Sequence, residues 1–488
     1  MELDSAENIY LIGTTKSEDF PIINNSYDTI PPKEGYSKAF VLKIKNNLDS
    51  LLASTFLGGT LMDYGIDLDL STNNEIFVCG YTRSPDFPST PGAYNESYNH
   101  YPDEELYDIF ISKFDSELTT LKHSTFLGGN HNERCSALTL DKYQNIYVVG
   151  FTQSTNFPVT SGAYDISHNA WDDGFVCKFD SSLHNLLSST LFGGESYDRP
   201  KSIALDENGN IYIGGTTNSV DFPISQGAFD DTHNGNYDGF VFRIDTGLKH
   251  LKSSTFLGGQ YWDIINYLAF NQSGNLYIAG SGGPDYPTTE NAYYKGPNGG
   301  GLITFIDINL SDIYASTIFP GRNSLVEFDF DKYGNIVIVG ETYSPDLPIT
   351  SGSLIQEYIG GSNYFYTECG DGYISKLDAD LSIDPNQIIK LMEDSDSIII
   401  NIFPNPFKNI VQINYKLKSL DFVKISIYNT SGKLIKTLVS RNQKPGIYII
   451  QWDGTNEQNF YSPNGIYYCV MKTSRKNYTR RIIYLGNN

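Results

Sequence analysis

The sequence has few of the residues that build several common kinds of site. Its 488 residues include only five cysteines, four methionines, three tryptophans and seven histidines. No two cysteines have a CxxC spacing, and the five are too scattered for a disulfide framework. The histidines show no metal-ligand spacing. We therefore predict buried free thiols and no metal centre built on histidine or cysteine.

Long apolar runs, basic charge and catalytic motifs are also missing. No stretch approaches the roughly 18–20 apolar residues of a membrane span. The net charge of −23 argues against nucleic acid and anionic membranes as partners. The chain contains no HExxH, GxSxG, phosphate-binding loop or strand-anchored GxGxxG motif. We therefore predict that the protein is not an enzyme.

The charge is divided unevenly along the chain. Residues 397–488 carry 13 basic and 3 acidic residues, a net of +10, whereas the rest of the chain carries a net of −33. Two regions of opposite sign predict two domains. The boundary falls in an acidic stretch at residues 379–400, which we interpret as a linker.

Aromatic residues and glycine are abundant, and they recur in order. The 36 tyrosines, 28 phenylalanines and 44 glycines favour short strands separated by turns. The motif STFLGG starts at Ser54, Ser124 and Ser254, with variants at Ser189 and Ser316. A second motif, typified by GYTRSPDFP, occurs in six strong or weak copies that begin at Gly13, Gly80, Gly150, Gly215, Gly280 and Gly340.

One repeat can be divided into four short strands. Between Lys201 and Gly259, the strand-like segments are SIAL, IYIGG, GFVFRI and LKSSTFL, and a polar loop lies between the second and the third. Four antiparallel strands per repeat, six times over, predict a β-propeller. A solenoid is the alternative, but solenoid repeats are commonly shorter.

The two motifs resemble the SBBP-type β-propeller repeat of bacterial secreted proteins, and the resemblance spans residues 1–378. It implies six four-stranded blades, or seven, since the family is usually described as seven-bladed. The sixth unit ends after DGYISKLD without a STFLGG strand, and the chain begins inside a first strand with no signal peptide. We therefore expect a natural N-terminus that lies upstream and carries both.

Residues 401–488 read as a small immunoglobulin-like β-sandwich, with an alternating strand after the prolines of IFPNPFKNIVQINYKL and further strands at VKISIY, IYIIQW and GIYYCVM. FPNPF, WDGTN and PNGIYYCVM resemble the C-terminal sorting domain of the type IX secretion system of Bacteroidota, and the latter two also resemble flagellar hook-capping proteins. The resemblance implies export by that machinery to the outer-membrane surface or the medium. The residues that carry the sorting motif are Pro404, Asn405, Pro406, Trp452, Asp453, Gly454, Gly465 and Tyr467.

Acidic residues recur at two positions of the repeat. The aspartate of the DFP loop is needed in every blade, so we predict a structural role for Asp86, Asp221, Asp285 and Asp346. A second set follows the Gly-Gly breaks and, with alternating strand directions, lies on the same face as the long loops. These candidate ligand-binding residues are Asp63, Glu133, Asp198 and Asp263.

Two interpretations of this second set remain open. A ring of carboxylates near a central channel could bind a sugar or a cation, of which calcium is the candidate, or it could consist of solvated loop ends. The expected function is a secreted or surface-attached scaffold that binds an extracellular protein or polysaccharide. The alternatives are a glycan lyase or hydrolase that uses these carboxylates, and a purely structural surface component.

Overall fold

A computed structural model describes residues 1–23, 25–100, 105–169, 171–290, 292–295, 298–319, 323–331, 334–343, 371–377, 400–403, 407–417, 419–474 and 477–486. These residues include no helix of the length and hydropathy needed to cross a membrane. The chain divides into two compact units, residues 1–287 with 307–312, and residues 288–306 with 313–488.

The first unit contains four four-stranded antiparallel sheets in sequence order, followed by a strand pair. The strands of the first two sheets are β1 (Glu2–Leu3), β2 (Ile9–Thr15), β3 (Lys38–Ile44), β4 (Leu51–Leu57), β5 (Asp63–Leu70), β6 (Ile76–Thr82), β7 (Asp108–Phe114) and β8 (Leu121–Leu127). The remaining strands are β9 (Glu133–Leu140), β10 (Ile146–Thr152), β11 (Asp173–Phe179), β12 (Leu186–Phe192), β13 (Asp198–Leu205), β14 (Ile211–Thr217), β15 (Asp238–Ile244), β16 (Leu251–Leu257), β17 (Ile264–Phe270) and β18 (Leu276–Gly282).

Consecutive sheets pack through their first strands. In each sheet neighbouring strands follow one another along the chain, and β5 packs against β9, β9 against β13, and β13 against β17. This is the arrangement of propeller blades around an axis. The predicted division of the repeat at Lys201–Gly259 is confirmed, except that the first strand begins earlier, at Asp198.

A β-bulge in the first strand explains the recurrent glycine of the GYT-type motif. The pairing of β9 with β10 shifts between Val149 and Gly150, and equivalent shifts occur in β5, β13 and β17. A Cβ atom at Gly150 would lie 2.0 Å from the carbonyl oxygen of Arg134 and 2.8 Å from the ring of Phe175. The bulge therefore excludes any side chain at this position.

The two repeat motifs hold the long loop against the fourth strand. In the third sheet, the Thr190 hydroxyl of the STLFGG motif accepts a hydrogen bond from the Asp165 amide of the long loop at 2.8 Å. Equivalent bonds join Asp28 to Thr55, Asn95 to Thr125 and Asp230 to Thr255. The phenylalanine of the DFP motif is buried against the third strand, with 4.5 Å between the ring centroids of Phe222 and Phe240.

The DFP aspartate fixes the turn after the Gly-Gly break, as predicted. Asp86 accepts a hydrogen bond from the amide of Thr60, Asp221 from that of Glu195, and Asp285 from that of Gln260, at 2.7–2.9 Å. Asp346 lies outside the described residues. The prediction of buried free thiols is confirmed for Cys79, Cys135, Cys177 and Cys469, whereas Cys369 also lies outside the described residues.

The second unit combines further repeat strands with the C-terminal module. Its repeat strands are β19 (Gly300–Ile306), β20 (Ile313–Ile318), β21 (Asn323–Phe330), β22 (Ile336–Thr342) and β23 (Asp371–Leu377). The module contains β24 (Ile400–Phe403), β25 (Val411–Leu417), β26 (Asp421–Asn429), β27 (Leu434–Gln443), β28 (Gly446–Trp452), β29 (Gly465–Lys472) and β30 (Asn477–Tyr484). β30 also contacts a repeat strand, since Arg481 donates to the carbonyl oxygens of Ile313 and Tyr314 at 3.3 Å.

The module is a two-sheet sandwich. One sheet has the order β24-β25-β28 and the other β27-β26-β29-β30, and one core cluster draws on both. Trp452 lies buried in this core, and its indole nitrogen donates to the carbonyl oxygen of Thr455 at 2.8 Å. The four predicted strands are confirmed as β25, β26, β28 and β29, and the structure adds β24, β27 and β30, which the sequence analysis did not identify.

Candidate functional site

The four candidate carboxylates lie at the predicted end of the sheets but are not exposed. Asp63, Glu133, Asp198 and Asp263 all have 0% exposed surface. Both interpretations made from the sequence placed these carboxylates at a solvated face, and this prediction of exposure was wrong. Each lies at or directly before the start of a first strand, which carries its side chain into the junction between two sheets.

Hydrogen bonds from the repeat motifs enclose these carboxylates. Glu133 accepts bonds from the Thr152 hydroxyl at 2.7 Å, from the Ser154 hydroxyl, and from the amide of Gly129 at 3.0 Å. Asp63 and Asp198 accept the same three kinds of bond from the equivalent positions. This pattern explains why threonine and serine recur in the GYT-type motif and glycine in STFLGG.

Each carboxylate faces the first residue of the third strand of the preceding sheet. Three of these junctions pair two buried acids, and one pairs an acid with Lys38; the pairs are Lys38 with Asp63, Asp108 with Glu133, Asp173 with Asp198, and Asp238 with Asp263. Two like charges in a buried site raise each other's pKa. The acid pairs therefore favour protonation of one partner.

Burial and the neighbouring charge act together on the pKa of these groups. The pKa of Glu133 is raised to about 8, mainly by burial and to a smaller extent by the charge of Asp108. Burial raises the pKa of Asp173 to about 7, with Asp198 as the main charged contributor. Asp63 and Asp198 reach about 6, and Lys38 lowers the pKa of Asp63.

One junction has the composition of a metal site. His100, Asp108 and Glu133 are buried, and their ligand atoms lie within 4.8 Å of one another. The His100 Nε2 atom lies 3.1 Å from Asp108 Oδ1, while Asp108 Oδ2 accepts a bond from the amide of Asn99. These contacts already occupy the carboxylate oxygens of Asp108. Calcium binding at the predicted carboxylates therefore stays a prediction.

The residue after each acid points to the other side of its strand, where Arg134 is exposed and Tyr64, Arg199 and Ile264 are half-buried. Arg134 and Arg199 follow Glu133 and Asp198 and border a cavity of about 270 Å³. We call this the basic cavity; it is lined by Asn132, Arg134, Phe151, Gln153, Arg199 and Lys201. Lys201 is the extra residue of the bulge in β13, which directs it toward the same space.

Aromatic rings and one buried carboxylate hold the two arginines. The Arg134 guanidinium lies 5.2 Å from the ring centroid of Tyr81 and 5.3 Å from that of Tyr107. Buried Asp172 binds Arg199 at 2.6 Å through both Nε and a terminal nitrogen. Asp172 also accepts a bond from Gln153 at 2.8 Å. The cavity wall is therefore fixed before any ligand arrives.

A second cavity of about 460 Å³ lies near the Gly-Gly break between the second and third sheets. It is lined by Tyr94, Asn95, Asn99, Gly128, Gly129, Asn130, Asn156 and Pro158. We call it the amide cavity, because four asparagines border it and no charged side chain does. Glycine at positions 128 and 129 brings this surface close to the buried pair of Asp108 and Glu133.

The sequence analysis did not identify the cations of the basic cavity. It singled out acids because they recur in register, whereas the residue after the acid varies: it is Tyr64, Arg134, Arg199 and Ile264 in successive sheets. Strand alternation next to a predicted buried position would have indicated them. A residue that varies in a structurally constant position is a sign of binding rather than of folding.

The described residues of the predicted sorting motif serve the sandwich fold. Trp452 and Tyr467 are buried in the core, and Asp453 accepts bonds from the amide and hydroxyl of Thr455. Gly454 has a φ of 77° and packs against Tyr484, so a side chain is excluded there. Gly465 starts β29. Pro404, Asn405 and Pro406 lie outside the described residues.

Two families match parts of the chain. The SBBP β-propeller repeat matches residues 189–223, and the FlgD Ig-like domain matches residues 409–477. The first match covers the STLFGG and DFP motifs of one repeat, and the second covers most of the sandwich. They support a β-propeller repeat followed by an immunoglobulin-like domain. Among curated proteins, none matches this chain.

Several solved structures resemble the chain distantly. PorZ, a surface component of the type IX secretion system of Porphyromonas gingivalis, is 10% identical with a TM-score of 0.33, over 92% of this chain and 56% of PorZ. The chain thus spans about half the length of PorZ. An arabinoxylan arabinofuranohydrolase of glycoside hydrolase family 43 from Bacillus subtilis is 8% identical with a TM-score of 0.30, over 99% and 93% of the two chains. Such TM-scores are too low to assign a shared activity.

Proposed function

We propose that this protein is a secreted or surface-attached β-propeller of six or seven blades that binds an extracellular ligand without chemically changing it. The ligand occupies the face at which the first strands begin. The basic cavity carries this proposal, because it is an exposed, rigid hollow lined by varied polar, aromatic and charged side chains.

The burial of the candidate carboxylates supports a non-enzymatic function, because a glycan-degrading enzyme would need them to reach the substrate. An acid catalyst must reach its substrate within hydrogen-bond distance. Glu133 and Asp198 have no exposed surface, and their oxygens accept bonds from threonine, serine and glycine groups of the repeat. These contacts favour a structural role at the junctions over a catalytic role.

The test is a panel of extracellular polysaccharides and surface proteins probed with the full chain. We expect binding to members of the panel without release of new reducing ends. Release of sugar fragments that is lost in a Glu133→Gln variant would establish the enzymatic alternative instead. If no substitution around the basic cavity affects binding, the proposed location of the ligand site is wrong.

The C-terminal module supports the export part of the proposal. Its immunoglobulin-like sandwich and its positive charge fit a sorting domain that the type IX secretion machinery recognises. In this proposal the module is the part of the chain that contacts the machinery. The full chain, given an N-terminal signal peptide, should reach the surface or medium of a Bacteroidota host. A chain that ends at residue 399 should remain in the periplasm. Equal export of both chains would contradict the sorting role.

A further inference from the structure

We infer that the basic cavity binds an acidic carbohydrate, a short segment of a polysaccharide that carries carboxylate groups. This inference rests on the proposed ligand-binding role of the face and names the class of ligand. It follows from three features of the cavity: its uncompensated positive charge, its fixed amides and its exposed aromatic border.

The first feature is charge. Arg199 is neutralised by Asp172, but neither Arg134 nor Lys201 has a carboxylate within ion-pair distance in the described part of the chain. Two unpaired cations line one small cavity in a protein with a net charge of −23. Such a site attracts an anion locally, within about 8–10 Å in physiological salt.

The crowding of these cations strengthens the argument. Lys201 is exposed as a whole residue, but its pKa is lowered, first because neighbouring atoms displace water from its amine and second by the charge of Arg199. A bound anion would relieve this repulsion, because it brings the opposite charge between the two side chains. Residues 1–396 carry a net charge of −33, which disfavours polyanions elsewhere on the repeat region.

The second feature is a pair of side-chain amides held in place by hydrogen bonds. Asn132 donates to the Gln153 side-chain oxygen at 3.2 Å and accepts from the Tyr107 amide at 3.1 Å, while Gln153 donates to Asp172. Both side chains line the cavity. Amides held in this way bind hydroxyl groups in one orientation. A sugar offers hydroxyls beside its carboxylate, whereas an acidic peptide side chain does not.

The third feature is an aromatic platform at the border. Trp171 is 60% exposed and stacks on Tyr197 with 5.7 Å between ring centroids, and Arg199 lies 5.0 Å from the Tyr197 ring. Phe151 lies 5.2 Å from the same guanidinium and lines the cavity. Exposed rings of this kind offer a flat apolar face on which a sugar ring can stack. Charge, amides and rings together fit a uronic acid better than a phosphate or a peptide.

The experiment is a titration of the full chain with hexagalacturonate and with its fully methyl-esterified form, which has the same sugars without the charge. Wild-type protein should bind the acid form at least about tenfold more tightly. The Arg134→Ala/Lys201→Ala variant should lose that preference. Lys142→Ala/Lys249→Ala, which removes two exposed cations outside the cavity, should retain it. Far-UV circular dichroism and thermal melting confirm that all three proteins fold.

The outcomes separate this inference from the proposed function. Equal binding of the acid and ester forms, abolished by cavity substitutions, would overturn the acidic class and leave the ligand-binding face intact. Equal binding of hexaglutamate would assign the cavity to acidic protein segments, and preference for a sulfated oligosaccharide would replace carboxylate with sulfate. Absence of binding to all these probes, together with a polysaccharide panel unaffected by the Arg134→Ala/Lys201→Ala substitutions, would overturn both.

Discussion

Replacing Asp173 with asparagine should stabilise the protein in alkaline solution. Asp173 is fully buried; its Oδ2 atom accepts a bond from the Asn169 amide, while its Oδ1 atom has no hydrogen-bond partner among the described residues. Its pKa is raised to about 7 by burial and by the charge of Asp198. Asparagine keeps the accepted bond, carries no charge, and can turn its NH₂ group toward Asp198.

The size of the effect follows from the pKa. A folded-state pKa above the unfolded value of 3.8 means that the folded state binds the proton more tightly, so stability falls as pH rises from about 4 to about 7. The shift of roughly three units corresponds to about 4 kcal/mol at pH 8.5 as an upper bound, and to about 1 kcal/mol at pH 4.5. Asp173→Asn removes this cost.

The assay is thermal unfolding of the full chain, followed by far-UV circular dichroism at pH 8.5 and pH 4.5. We expect Asp173→Asn to raise the melting temperature by several degrees at pH 8.5 and by little at pH 4.5. The exposed control Glu195→Gln should change it equally little at both. A variant that is destabilised to the same extent at both pH values would refute the reasoning, because Asp173 would then act through a hydrogen bond rather than a charge.

Two further predictions concern the repeat. Gly150→Ala should destabilise the protein by about 1–3 kcal/mol in urea unfolding, since its Cβ would lie 2.0 Å from a carbonyl oxygen. The control Gly372→Ala, with open space around it, should be neutral, and equal stability of the two variants would contradict the bulge. Cys79 and Cys177 should react with a thiol reagent only after unfolding, because both are fully buried and burial raises the pKa of Cys177 to about 12; rapid labelling in native buffer would count against this packing.

The sequence predicted what the repeats share. Motifs that recur in register located the strands, the buried thiols and the structural DFP aspartates, because the same packing problem is solved in each sheet. The prediction that Asp63 and its equivalents are exposed was wrong, because the first strand begins earlier than its apolar residues suggest. In the repeat parsed from Lys201, the strand begins at Asp198. From the sequence, an acid at the start of a strand is easily assigned to the preceding loop. Recognising its hydroxyl partners, such as Thr217 and Ser219 for Asp198, would have placed it in the strand.

What differs between repeats could not be predicted in the same way. Arg134 and Lys201 lie in different sheets, and a β-bulge brings Lys201 toward the cavity of Arg134 and Arg199. The recurrent glycine opposite the bulge, here Gly215, marks it only once the pairing of the two strands is known. In the sandwich, β27 and β30 were missed because LIKTLVSRNQ and NYTRRIIY contain many polar or charged residues, as expected for the outer strands of a sheet.

Hydroxyl-radical footprinting tests the location of the ligand face most directly, since it reports the exposure of individual aromatic side chains. Trp171 and Trp262 are 60% and 59% exposed; Trp171 stacks on Tyr197, whose ring contacts Arg199 of the basic cavity, whereas Trp262 packs against Tyr237. Bound hexagalacturonate should slow oxidation of Trp171 and Tyr197 and leave Trp262 unchanged. Protection of Tyr94 in the amide cavity, with Trp171 unprotected, would contradict the account.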